Sequence, residues 1–97
     1  MNFEWDEEKN QLNVEKHHID FNDAKGIFQS ARLTAIDSRR DYGETRKSSI
    51  GTIGPHVCVV VYTEREGVTK IISARKANQR ERNYFYERIE KAKTEEN

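Results

Sequence analysis

The chain has a single cysteine, Cys58, so no disulfide can form within it. That fits a reducing compartment, and the expected location is cytoplasmic. Cys58 lies inside the most apolar run and reads as a small core hydrophobe. No stretch approaches the roughly 18 apolar residues of a membrane span. The start Met1-Asn2-Phe3-Glu4 is acidic and lacks a signal-peptide pattern, so no membrane association is expected. A glycine-rich phosphate loop and a Gly-x-Ser-x-Gly elbow are both missing. His17, His18, His56 and Cys58 are too few and too badly spaced for a zinc site. Adjacent His17 and His18 diverge by about 100° on a helix and do not chelate together. Neither a metal nor a cofactor is expected. Net charge is absent too, because 17 Lys and Arg balance 17 Asp and Glu.

What is present is one domain's length of chain, 97 residues, read as a single domain over 1–97. Charged residues make up 35%, above the usual value of about 25%. Disorder is excluded for the middle of the chain by the β-branched material in residues 57–62 and at Ile71 and Ile72. The charges are also segregated. Residues 1–8 carry Glu4, Asp6, Glu7 and Glu8 and no base. Residues 70–82 carry Lys70, Arg75, Lys76, Arg80 and Arg82 against Glu81 alone. A neutral protein can present a basic footprint in this way.

Phe3 and Trp5 flank Glu4 in a short alternating segment that reads as an edge strand. Asp6 suits the N-cap of a helix ending near Lys16 or His17, with Glu7 and Glu8 at its positive end. Its apolar face is thin, mainly Leu12 and Val14. Asp20 caps a second helix, Ile19 and Ala24 sit at staple spacing, and Phe21, Ala24, Ile27 and Phe28 form a core face that frays near Ser30. From Leu33 the period becomes two. Residues 41–44 read as a turn, 46–53 as a strand and Gly54-Pro55 as the next turn. Residues 57–63 read as a central strand buried on both faces, and 68–73 as its partner. A last helix is expected over 74–93, with Ser73 near its N-cap. Its inner stripe would be Ala77, Tyr84, Phe85, Arg88, Ile89 and Ala92, and residues 94–97 would be frayed. The fold class is therefore α+β: a short N-terminal strand, two helices, a four-stranded mainly antiparallel sheet and a long C-terminal helix.

Arg, Lys, His, Glu and Tyr near strand ends suit metal-independent RNA cleavage. In that reaction the ribose 2′-hydroxyl attacks its own phosphate. It needs a base for that hydroxyl, an acid for the leaving 5′-oxygen, and cations for the charge growing on phosphorus. Arg75, at the expected strand–helix junction, could bind phosphate through its side chain and the helix N-terminus together; alternatively it pairs with a carboxylate such as Glu44. Arg65 could reach the same end of the sheet or be a solvated hairpin charge. Glu44 and Arg46 form either a base and a phosphate clamp or a mutual ion pair. Lys16 and His17 complement the first helix dipole, and His17 titrates near neutrality. Lys76, Arg80 and Arg82 suit backbone phosphates or an acidic protein partner. One of Tyr84, Phe85 and Tyr86 is expected to be free to stack on a base, with Tyr84 the choice.

These residues fall into longer strings. Phe3-Glu4-Trp5-Asp6-Glu7-Glu8-Lys9-Asn10 precedes Asn13, Lys16-His17, Phe21 and Ala24. Gly43-Glu44-Thr45-Arg46 precedes Ile50-Gly51. Val60-Val61-Tyr62-Thr63-Glu64-Arg65 precedes Ile71-Ile72-Ser73-Ala74-Arg75-Lys76-Ala77, and Glu81-Arg82 follows. In order and spacing they resemble the BrnT toxins of bacterial type II toxin–antitoxin systems, over residues 3–87. The resemblance implies a RelE/ParE-like fold, ribonuclease activity and inhibition of translation. It implies neutralisation by a BrnA-like ribbon-helix-helix antitoxin, with operator DNA bound only through the toxin–antitoxin complex. The chain departs from the family at three places. His18 stands where the family has Gly, which would supply a left-handed helix cap. Ser30-Ala31 stand near the usual Asp-Pro. Phe85 falls at a family Tyr.

The reading is therefore a metal-independent endoribonuclease toxin. Arg75, Arg65 and Arg46 would hold the scissile phosphate, with Glu44 or His17 handling protons. The alternatives are a non-catalytic nucleic-acid- or protein-binding module and a toxin with a non-RNA target such as gyrase.

Overall fold

Alternation of apolar and polar residues builds a sheet that the helices then cover unequally. The computed structural model describes residues 1–37 and 43–95. Its strands are β1 (Asn2–Glu4), β2 (Leu33–Asp37), β3 (Arg46–Ile53), β4 (His56–Arg65) and β5 (Val68–Lys76). They lie in the order β1-β5-β4-β3-β2. The last four are antiparallel neighbours, whereas β1 runs parallel to β5, from Asn2 opposite Val68 to Glu4 opposite Lys70. The expected four-stranded antiparallel sheet is thus a five-stranded mixed one. The N-terminal strand joins it because the first residues of β5 present an unpaired edge that three extended residues satisfy.

Helix α1 (Glu7–His17) starts as expected, with the Asp6 carboxylate accepting from the Glu8 and Lys9 N–H groups at 2.9 and 3.2 Å. It ends on His18 in the left-handed conformation, φ 60° and ψ 31°. Its packing face is not Leu12 and Val14, which are exposed. The buried residues are Asn10 and Asn13. β1 stops opposite Lys70, so the rest of the β5 edge needs a partner, and the Asn13 amide supplies one. It donates to the Ala74 carbonyl at 2.9 Å and to the Ile19 carbonyl at 2.8 Å, and accepts from the Ala74 N–H at 3.2 Å. Asn10 accepts from the Phe21 N–H at 2.8 Å and so fixes the next helix.

That helix, α2 (Phe21–Ala24), is capped by Asp20 and tightens into a 3-10 segment, Lys25–Gln29, that ends at Ser30. Phe21, Ala24 and Ile27 are fully buried against Cys58, Val60, Tyr62, Ile71 and Ala74. Gly51 lies beneath this segment; a Cβ there would meet Ile27 Cγ1 at 2.9 Å and the Ala31 carbonyl at 3.3 Å.

On the other face Val57 and Val59 pack with Ala77 and Phe85, flanked by Leu33, Ile50 and Ile89. The covering helix, α3 (Gln79–Glu95), begins five residues later than expected. β5 runs on through Lys76, because the extended residues opposite, from Val59 to Cys58, hold Arg75 and Lys76 in register. Ser73 is therefore a strand residue and caps nothing. Asn78 is the cap: it accepts from the Glu81 N–H at 2.8 Å while Glu81 accepts from the Asn78 N–H at 2.9 Å. Of the expected stripe, Phe85 is buried and Ile89 half-buried, Ala77 is buried ahead of the helix, and Tyr84, Arg88 and Ala92 are exposed. The expected turn at 41–44 and the expected fraying at 94–97 fall partly outside the described residues.

One irregularity decides which residues face the site. Val61 pairs with Ser73, but Tyr62 pairs with Ile71, so Ile72 is an extra residue on β5. Residues 71 and 73 would otherwise share a face. The bulge lets Ile71 enter the closed core while Ser73 and Arg75 turn to the half-covered face.

Candidate functional site

α3 covers only one end of its face, and what it leaves open is a groove. Ser48, Val59, Val61, Ser73, Arg75 and Glu81 line a cleft of about 410 Å³. A second cleft of about 210 Å³ shares Ser48, Val59 and Glu81 and extends the groove to Leu33, Ala35, Ile50 and Tyr84.

Arg75 is the most constrained cation here. Its two terminal nitrogens donate to the two oxygens of Glu81, each at 2.8 Å. The partner is thus a carboxylate, but Glu81 and not Glu44. The same Glu81 oxygen that accepts from Arg75 Nη1 also accepts from the Asn78 N–H, so the start of α3 and the end of β5 share one anchor. The Arg75 hydrogen bonds hold the Glu81 carboxyl down at about 2, against an opposing rise from burial. Sequence reasoning gave Glu81 no role; the signal was the Asn78-x-x-Glu81 spacing of a capping box. The helix N-terminus does not bind beside Arg75 as expected, since the helix starts after Asn78.

His17 is the last residue of α1, the helix that Asn13 docks on Ala74 at the β5 edge. Its pKa is lowered, first by burial and then by the positive charges of Lys16, Arg75 and His18. At neutral pH it is accordingly a neutral imidazole, able to accept a proton. Lys16 is exposed in the preceding position.

The other expected site residues do not converge on Arg75. Arg46 Nε stands 3.6 Å from a Glu44 oxygen. Glu44, Thr63, Arg65 and Lys70 line a cleft at the far end of the same sheet face, about 350 Å³ in volume. Val59 is the partner of Arg75, and Arg65 lies six residues further along β4. At roughly 3.3 Å per residue, that is about 20 Å. Arg65 and Arg75 therefore cannot grip one phosphate, contrary to the expectation that Arg65 reaches the same end.

The basic run of residues 70–82 is also dispersed by the fold. Lys76 projects to the opposite face from Arg75 and lines a different cleft. Arg82 is turned back on the helix start, donating to the Ala77 carbonyl at 2.8 Å and to Gln79 Oε1 at 2.7 Å. Arg80 is exposed. Tyr84 is 48% exposed at the groove, with the Arg88 guanidinium 5.1 Å from its ring centre. It is available for stacking, as is Tyr86 at 53%, whereas Phe85 is core. Among the described residues no group of three or more His, Cys, Asp or Glu could hold a metal ion. No described helix is long and apolar enough to cross a membrane.

A family model described as the ribonuclease toxin BrnT of type II toxin–antitoxin systems matches residues 5–81. The chain is also similar to the solved Brucella abortus ribonuclease toxin BrnT, with a TM-score of 0.63 and 29% identity, over 81% of this chain and 99% of that one. No curated protein matches.

Proposed function

We propose that this chain, which belongs to the family of BrnT ribonuclease toxins of type II toxin–antitoxin systems, cuts RNA without a metal ion and so inhibits translation. Arg75 and His17 serve the scissile phosphate. Neutral His17 takes the proton of the ribose 2′-hydroxyl, whose oxygen attacks phosphorus. The bond from phosphorus to the 5′-oxygen breaks, that oxygen takes a proton from water to leave as a hydroxyl, and a 2′,3′-cyclic phosphate remains. Arg75, fixed by Glu81, faces the negative charge that grows on the phosphoryl oxygens. Arg46 and Arg65, farther along the same face, hold flanking phosphates, Glu44 orients Arg46, and Tyr84 stacks on a base at the other side of the groove.

The observation that carries this reading is that Glu81 fixes Arg75 at the groove while α1, which ends at His17, is docked by Asn13 on Ala74, the residue before Arg75. Arg75 and His17 are 58 residues apart in sequence, and the positive charge of Arg75 is among those that lower the pKa of His17. We also assign the fold to the RelE/ParE type. The neutralising partner is taken to be a cytoplasmic ribbon-helix-helix protein, through which the pair reaches operator DNA.

The test is incubation of the purified protein with naked RNA in EDTA, reading product ends. Wild type should leave 2′,3′-cyclic phosphates, and Arg75→Ala should cut about 10²–10³-fold more slowly while keeping its circular dichroism. A folded Arg75→Ala protein that cuts at the wild-type rate would sink the assignment. Binding of RNA by wild type without cleavage, together with growth arrest on expression, would replace it with a ribosome-dependent or non-RNA target.

A further inference from the structure

A separate cleft opens on the closed face, at the end of β5 remote from β1. It measures about 400 Å³, with Ile53 and Cys58 in its floor and His18, Asp23, His56 and Lys76 at its rim. The cleavage chemistry proposed above uses none of these side chains.

Two features bear on what this cleft can bind. The first is its chemistry. Two imidazoles, His18 and His56, line it, and nucleobases stack on such rings. An ammonium group can pair with a phosphate. One carboxylate can accept from the amino groups of a base edge, as acidic side chains do from cytosine N4. The same carboxylate disfavours a partner that is merely acidic. The second is the placement of His18 by its backbone. His18 occupies the left-handed region, φ 60° and ψ 31°, which glycine adopts freely and other residues with difficulty. That conformation is the C-cap of α1, where the His18 N–H donates to the Val14 carbonyl at 2.9 Å, and it sets the side chain at the cleft.

Position supplies the link to the groove. His17 ends α1, which docks on Ala74 next to Arg75, and the following residue, His18, lines this cleft. On β5, Arg75 faces the groove and the next residue, Lys76, faces the cleft. A single strand of RNA that crosses the edge of the sheet therefore meets both.

We propose that this cleft is a nucleotide subsite for RNA flanking the cut. Lys76 pairs with a phosphate, His18 and His56 lie against one base, and Asp23 accepts from that base's amino group. The inference rests on the RNA-cleaving reading for its substrate, and it assigns a base preference to a part of the molecule away from the chemistry. Adenine, cytosine and guanine offer an amino group there; uracil does not.

The experiment uses the full chain and fluorescein-labelled 12-nucleotide RNAs that are 2′-O-methylated throughout, which blocks cleavage by the 2′-oxygen. Affinity is read by fluorescence anisotropy at fixed salt, because phosphate contacts are salt-dependent. Lys76→Ala and His18→Gly should each weaken binding of a mixed-sequence RNA at least fivefold. His18→Gly should do so with an unchanged or higher melting temperature, since glycine takes the helix cap without strain. Wild type should bind oligouridine more weakly than the mixed sequence, and Asp23→Ala should narrow that gap. Wild-type affinity in both Lys76→Ala and His18→Gly would overturn the subsite, as would loss of antitoxin binding in those variants with RNA binding intact. Either result leaves the cleavage reading standing. Conversely, a folded wild-type protein that leaves unmodified RNA uncut removes the cleavage reading without touching these affinities.

Discussion

The two faces of the sheet are covered by helices of different kinds, and they are finished to different degrees. On one face α1, α2 and the 3-10 segment close over Phe21, Ala24, Ile27, Val60, Tyr62 and Ile71, all at 0–1% exposure. On the other, α3 seals Val57, Val59, Ala77 and Phe85 at 4–7% and stops, leaving Ser48, Ser73, Arg75 and Glu81 along an open groove. The polar groups differ in the same sense. On the closed face the buried polar groups are paired, Asn10 and Asn13 with backbone and Ser49 with the Tyr62 hydroxyl. The open face carries ionic groups at a solvent boundary. Stability thus concentrates on one face and chemistry on the other, and substitutions of equal size on the two should have unequal consequences.

The largest contrast should come from phenylalanine truncation. Phe21→Ala removes a ring that is fully enclosed, in T-shaped contact with Trp5. The expected loss is about 4–5 kcal/mol, the upper part of the range for such changes. Phe85→Ala opens a space beside the groove, where neighbours can relax and water can enter, and should cost about 3 kcal/mol. Urea unfolding monitored by circular dichroism gives both numbers. Equal losses would mean that the half-covered face is as well packed as the closed one, and the comparison would fail.

Next in size is Asn13→Leu. The side chain keeps its bulk but loses the amide that serves both the N–H and the C=O of Ala74. Three backbone groups, these two and the Ile19 carbonyl, lose the hydrogen bond they make to Asn13, at an expected cost of about 2–3 kcal/mol. The same unfolding measurement decides it. A loss below about 1 kcal/mol would show that water reaches the β5 edge and that α1 does not seal it.

These two positions also show where sequence reading succeeds and where it stops. Phe21 and Ile27 were legible as core because apolar residues at helical spacing announce a buried face. The bounds of β3 were legible because period-two alternation ends at a glycine turn. Asn13 was not legible, since periodicity searches for apolar residues and this helix buries amides. The junction after Ser73 was misread for a related reason. Ala74, Arg75, Lys76 and Ala77 are good helix formers, and only pairing with β4 keeps the first three extended. Arg75 could therefore be named as a site residue from its type and neighbourhood. Its distance from Arg65, its partner Glu81 and its separation from Lys76 could not, because each depends on strand register and on the one-residue bulge at Ile72.

The smallest effect is the one most specific to the open face. Glu81 has its carboxyl pKa lowered from an ordinary 4.5 to about 2 by the Arg75 hydrogen bonds. A depressed folded-state value means that the unfolded chain binds the proton more readily. The pair's contribution to stability is therefore present in full above about pH 4.5 and is lost as pH falls toward 2. Glu81→Gln removes the titrating group and should be less stable than wild type at neutral pH by under about 1 kcal/mol, because a pair this exposed is screened by water. The side chains of Arg75 and Glu81 are 42% and 28% exposed. On acidification the gap between wild type and Glu81→Gln should shrink through that window, while the gap for Asn13→Leu, which involves no charge, should not follow the same curve. Unfolding at a series of pH values, with all three proteins in the same buffers, reads this directly. A Glu81→Gln deficit that stays constant from pH 7 to pH 2 would show that the carboxylate acts on the open face as a neutral hydrogen-bond acceptor, and that its charge does nothing to hold Arg75 in the groove.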